Sequence, residues 1–164
     1  MPLPDKQNKP QRRRPARMPL FESGNQSIII WLTLCSHKRK TLFADKQAHD
    51  CLVEVWSQAT YWLVGRYLLM PDHIHLFCAP ATFPPTPVRD WCKYWKSLAS
   101  RRWPRQEERP LWQVDIWDRQ LRRGESYREK WEYVSANPLE KKLVKKIEDW
   151  PYQGEMHKLA WHDC

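Results

Sequence analysis

Apolar and polar residues alternate in blocks that can be assigned one by one. Ser27 to Cys35 is rich in Ile, Leu, Trp and Thr, and its length suits a buried strand. Ala48, Cys51, Leu52, Val55, Trp56 and Ala59 then recur at i, i+3, i+4, i+7, i+8 and i+11. That spacing predicts an amphipathic helix over Lys46 to Ala59. Tyr61 to Met70 and His73 to Ala79 read as two further strands around the Met70-Pro71-Asp72 punctuation, with Tyr61 and Tyr67 expected to be largely buried. The proline-rich stretch from Ala79 to Pro87 is a loop. Val88, Trp91, Trp95 and Leu98 mark a second helix, Val88 to Trp103, with Tyr94 expected on its covered side.

Leu111 to Leu121 reads as a partly irregular strand. Ser126 and Glu129 form a capping box that opens a third helix, ending near Asn137-Pro138. Leu139 to Cys164 reads as a basic helical stretch followed by a turn at Trp150 to Gly154. The order β-α-β-β-α-β-α predicts an α+β fold: a ferredoxin-like or RRM-like antiparallel sheet with two helices on one face, leaving the third helix free to lie elsewhere.

Composition and charge narrow the picture. With 41% hydrophobic residues the 164-residue chain can build a core. The longest apolar run, Ile28 to Leu34, falls far short of the ~20 residues of a membrane helix. No apolar segment follows the basic start in the manner of a signal peptide, so a cytoplasmic protein is expected. Five cysteines with no CxxC pair argue against a disulfide framework or a zinc ribbon.

The net charge is +9, and residues 1–18 carry +5 of it. Residues 1–22 therefore read as a disordered basic arm, 23–138 as the principal domain, and 139–164 as a basic extension packing on or near it. The arm, with Arg12, Arg13 and Arg14, suits either tracking phosphates or solubilising the chain. Lys93, Lys96, Arg101 and Arg102 give the second helix a basic face, which suits either a polyanion or water. Eleven tryptophans supply core and could also stack on bases.

Two groups of residues could carry chemistry. His73 and His75 are two apart on a strand and so share a face, while Ile74, Leu76 and Cys78 point the other way. Two neutral imidazoles on one face make half of a metal site, or else an ordinary pair of strand histidines. On the third helix, Tyr127, Trp131 and Val134 form an anchoring stripe, and Tyr133 lies off it. Asn137, four residues on, aligns with Tyr133. The pair could face a metal together, or Tyr133 could pack on a flank while Asn137 caps a following helix.

Met70-Pro71-Asp72-His73-Ile74-His75-Leu76-Phe77 resembles the HUH motif of single-tyrosine, HUH-type transposases. Tyr133-Val134-Ser135-Ala136-Asn137-Pro138-Leu139 with Leu143-Val144 resembles that family's tyrosine block, in the REP-associated tyrosine transposase branch. The resemblance spans about Ile28 to Gly154. It departs at Lys141-Lys142, where relatives often carry small residues such as Ala-Gly.

The resemblance implies that His73 and His75 bind a divalent metal, Mg²⁺ or Mn²⁺, with Asn137 completing the site. It also implies that Tyr133 is the nucleophile, forming a 5′-phosphotyrosine intermediate on single-stranded or hairpin DNA. A monomer is expected, with a dimer left open. Two competitors stand beside this reading. One is a non-catalytic RRM-like binder of single-stranded nucleic acid, which leaves His-x-His and Tyr133 unexplained. The other is a zinc hydrolase using His73, His75 and Cys78, which the alternation of a strand disfavours.

Overall fold

The computed structural model describes residues 27–163; Arg12, Arg13 and Arg14 lie outside the described residues. The elements are β1 (Ile30–Ser36), α1 (Lys46–Gln58), β2 (Trp62–Leu69), β3 (His73–Pro80), α2 (Val88–Arg102), β4 (Trp112–Gln120), α3 (Tyr127–Ser135), α4 (Asn137–Glu140) and β5 (Gln153–Glu155). The five strands form one sheet in the order β4-β1-β3-β2-β5, and every neighbouring pair is antiparallel. This is the expected α+β arrangement with one strand added at the edge.

Strand alternation divides the hydrophobic residues between two faces. Ile30, Leu32 and Leu34 of β1, with Ile74, Leu76 and Cys78 of β3, are buried together with the apolar stripes of α1 and α2. Asp45 starts α1 by accepting the Ala48 N–H at 2.9 Å, so an otherwise unpaired donor is satisfied. Tryptophans of α2 and β4 fill this layer, and two of their indoles are hydrogen-bonded: Trp91 donates to the Ala59 carbonyl and Trp112 to the Lys96 carbonyl. Trimming a fully buried side chain here, such as Leu76, removes contacts costing about 2–5 kcal/mol.

The opposite face carries Trp31 and Phe77, which pair across β1 and β3. Tyr127 and Val134 of α3 cover this side, together with Leu68, Leu121 and Trp150, and Trp131 packs against the cluster. The capping serine acts as expected, Ser126 Oγ accepting the Glu129 N–H at 3.1 Å. Helix α3 thus lies across the sheet from α1 and α2.

Three expectations are corrected. Leu139 to Cys164 is not a helical stretch. Helical structure there is confined to Asn137–Glu140 and a 3-10 turn at Ile147–Asp149, and after α4 the chain turns with Lys142 in the left-handed region (φ 57°). The Leu143 N–H bonds to the Pro138 carbonyl and the Lys142 N–H to that of Leu139, a Schellman closure. Residues 153–155 form β5, paired with β2 from Arg66 to Leu68, so the extension completes the sheet. Tyr61 and Tyr94 are exposed rather than covered, because Tyr61 precedes the first residue of β2 and Tyr94 sits off the buried stripe of α2. Among the described residues no helix is long and apolar enough to cross a membrane.

Candidate functional site

The site forms where β1, β3 and β4 lie side by side on the face that carries α3. The β1–β3 register sets Cys35 opposite His73 and Thr33 opposite His75, and β4 sets Trp117 opposite Thr33. His73 and His75 accordingly share a face, with ring centroids 4.8 Å apart and planes at 85°. Each ring is held through Nδ1. Asp72 Oδ1 lies 2.8 Å from His73 Nδ1, and Thr33 Oγ1 lies 2.9 Å from His75 Nδ1.

Asp72 is itself fixed by Arg39, whose Nε lies 2.9 Å from Oδ2. Burial raises the Asp72 carboxyl pKa, but His73 and Arg39 outweigh it and hold the group below the usual carboxylate range. An ionised carboxylate accepts, so His73 Nδ1 carries a proton and Nε2 is the ring nitrogen left for a metal. Where the Thr33 hydroxyl accepts from His75 Nδ1, His75 Nε2 is likewise a donor atom for a metal. Burial, assisted by repulsion from His73, pushes the His75 pKa down to about 3, so its imidazole is neutral at ordinary pH. Two imidazoles oriented by oxygen partners at Nδ1 are a donor set that a divalent ion takes from histidine.

Tyr133 and Asn137 come to the same place. A cavity of about 690 Å³ is lined by His75, Thr33, Tyr133, Asn137, Trp31 and Trp117, among others. Tyr133 is 69% exposed, whereas Tyr127, six residues earlier, is 6% exposed. The two phenols differ in chemistry as well. The Tyr127 hydroxyl accepts the Arg66 N–H at 3.0 Å, and burial lifts its pKa to about 12. Tyr133 meets the sheet through one edge-on contact, its ring 6.2 Å from that of Trp31.

Asn137 does not cap α4. Its Nδ2 donates back to the Val134 carbonyl at 2.7 Å, and α4 begins at Asn137 without a side-chain cap. That bond commits the amide nitrogen and leaves Oδ1 as the acceptor end of a side chain that lines the cavity. Among the described residues no three His, Cys, Asp or Glu side chains cluster as a metal cage. A third protein ligand would thus come from a group such as the Asn137 amide. Cys78 is fully buried on the far face and is not brought to the histidines.

The basic residues of α2 are not brought to the cavity either, since α2 packs on the other side of the sheet. Lys96 donates to the Gln113 carbonyl and Arg102 to Gln58 Oε1. Thr33, Arg39, Trp31 and Trp117 are parts of the site that reading the sequence missed. Thr33 and Trp117 become neighbours of His75 only through strand register. Arg39 reaches Asp72 from a backbone held at φ 55°.

No family model matches the chain. Over 89 residues it is 22% identical to the REP-associated tyrosine transposase of Escherichia coli (strain K12), a match covering 54% of this chain and 52% of that protein. A solved structure of a REP-associated tyrosine transposase bound to a REP hairpin superposes with a TM-score of 0.63 at 16% identity, covering 77% of this chain and 75% of that one. The chain resembles the REP-associated tyrosine transposases in sequence and in fold. The matched region spans about half the length of the Escherichia coli protein.

Proposed function

We propose that this chain cleaves and rejoins single-stranded or hairpin DNA through a covalent 5′-phosphotyrosine at Tyr133. One observation carries the reading: the exposed phenol of α3 lines the same cavity as His75, whose ring is paired with that of His73. A structural tyrosine would be spent on packing, as Tyr127 is. Likeness to a transposase seen with a REP hairpin supports a hairpin as the substrate form.

His73 and His75 would hold the divalent ion, Mg²⁺ or Mn²⁺, through their Nε2 atoms, with Asn137 Oδ1 as the third protein ligand. A divalent ion there supplies positive charge against a non-bridging phosphate oxygen. Asp72 accepts from His73 Nδ1, and Thr33 Oγ1 holds the His75 ring through its Nδ1. Tyr133 Oη, having given its proton to water, bonds to phosphorus while the P–O3′ bond breaks and leaves a 3′ hydroxyl. The phosphotyrosine retains the energy of the cut bond, so attack by a 3′ hydroxyl restores the strand and returns the phenol without ATP. All these groups come from one chain, which supports a monomer as the working unit.

Arg12, Arg13 and Arg14 in the arm, and Lys93, Lys96, Arg101 and Arg102 on α2, remain the proposed DNA-binding set. The place of α2 suits contacts to duplex or flanking DNA remote from the cut phosphate. Trp31 and Trp117 on the sheet face favour one second reading, a non-catalytic binder of single-stranded nucleic acid. Incubation with hairpin DNA and Mn²⁺, followed by denaturing electrophoresis, separates the two. A protein–DNA adduct supports the transposase; binding with no adduct supports the binder.

A further inference from the structure

Trp117 is a large apolar side chain left 41% exposed beside the candidate site. On β4 it stands opposite Thr33, the residue that holds His75, and it lines the cavity shared by His75, Tyr133 and Asn137. Its indole meets Trp31 edge-on, with centroids 5.2 Å apart and planes at 84°. Trp31 in turn contacts the rings of His75, Phe77 and Tyr133. Trp31 is buried, 8% exposed, and its Nε1–H, like those of Trp56 and Trp95, has no partner among the described residues.

These facts need a joint explanation. An indole packed for stability alone would be buried as Trp91 and Trp95 are. Trp117 instead meets Trp31 at nearly a right angle and stays partly exposed in the cavity lining. Flat exposed aromatics on an open sheet take up unpaired bases by stacking, which tolerates any base because every base has a π-face.

We infer that Trp117 is a stacking platform for one unpaired nucleobase of the single strand next to the phosphate that Tyr133 attacks. The inference rests on the proposed function and adds a base subsite to it. Stacking there fixes the sugar–phosphate on one side of the reacting centre, and Trp31 backs both Trp117 and Tyr133. Phosphate contacts position the strand, and a stacked base adds a contact to the base itself beside the reacting phosphate.

The test compares single-stranded dT20 with an abasic oligonucleotide of the same length, so phosphates are matched and bases are not. Both are titrated against the Tyr133→Phe protein, with and without Trp117→Ala or Trp117→Phe, and thermal melting checks folding. With Trp117 present, dT20 should bind more tightly than the abasic strand by about tenfold or more. Trp117→Ala should remove about tenfold of that preference without changing affinity for the abasic strand, and Trp117→Phe should restore most of it. An equal preference in the Trp117→Ala protein overturns the subsite, even where the protein with Tyr133 intact still forms a DNA adduct. Loss of both affinities together assigns Trp117 a purely structural role and overturns it too. Failure to bind any strand overturns the subsite and the transposase reading at once.

Discussion

Replacing His75 by Gln should change how the fold responds to acid. In the folded chain burial lowers the His75 pKa from 6.5 to about 3. The unfolded chain therefore takes up a proton on this residue below its ordinary pKa, while the folded chain does not. The folded pKa is the lower of the two, so stability is fully present above about pH 6.5 and is lost as pH falls toward about 3. By linkage the loss is about 2 kcal/mol at pH 5 and about 4 kcal/mol near pH 3.5. A partly exposed carboxylate with a depressed pKa, such as Asp72, also loses stability in acid, but chiefly below about pH 5.

The informative quantity is thus the difference between wild type and His75→Gln over the upper part of the range. Urea unfolding at about pH 7.5 and about pH 5, with EDTA present to remove bound ions, measures it. Wild type should lose about 2 kcal/mol more than the variant between those two conditions. Parallel losses in the two proteins would refute the claim that this imidazole is held neutral by burial.

Three further outcomes follow from other parts of the structure. Asp72→Ala removes the carboxylate that orients His73, so Mn²⁺ affinity measured by calorimetry should fall about 10–100-fold, with thermal melting checking the fold. Lys142→Gly relieves a side chain at positive φ in the closure after α4, so denaturant unfolding should show a gain of about 0.5–1 kcal/mol; a loss would mean the lysine side chain is needed there. Lys93→Ala with Arg101→Ala should weaken hairpin binding and shallow its salt dependence by about one to two charges, while leaving the adduct rate at saturating DNA unchanged.

How much of this was open to reading from the sequence depends on the range of the interaction that fixes each part. The helices α1 and α2 and the cap of α3 are local. Spacing between Ala48 and Ala59, or Ser126 three residues before Glu129, states the structure directly. The shared face of His73 and His75 is local too, since it needs only the two-residue period of a strand. Thr33 beside His75, and Trp117 beside both, depend on register between strands more than forty residues apart along the chain, which no window of sequence contains.

The third edge case is β5. Three residues are too few to show a period, and they are held by partners elsewhere: the Leu69 N–H bonds to the Tyr152 carbonyl, Trp150 Nε1 donates to the Leu69 carbonyl, and Arg66 pairs with Glu155. The basic composition of the tail suggested a helix because lysine and glutamate favour one locally. Tertiary contacts and the left-handed turn at Lys142 override that preference. Tyr61 was misplaced for a smaller reason: the strand begins one residue later, at Trp62, so alternation does not cover it.

The account rests above all on Tyr133 as the group that bonds to DNA. Five other tyrosines in the chain offer built-in alternatives. The direct measurement is an incubation of wild type and Tyr133→Phe with 3′-labelled hairpin DNA and Mn²⁺, read on a denaturing gel, with the adduct peptide mapped by mass spectrometry. The substitution removes one oxygen from a largely exposed ring, so both proteins should melt alike. Wild type should carry the label on the peptide containing Tyr133, and Tyr133→Phe should carry none. A denaturation-resistant adduct of undiminished yield in the Phe variant would contradict the central claim and place the nucleophile elsewhere.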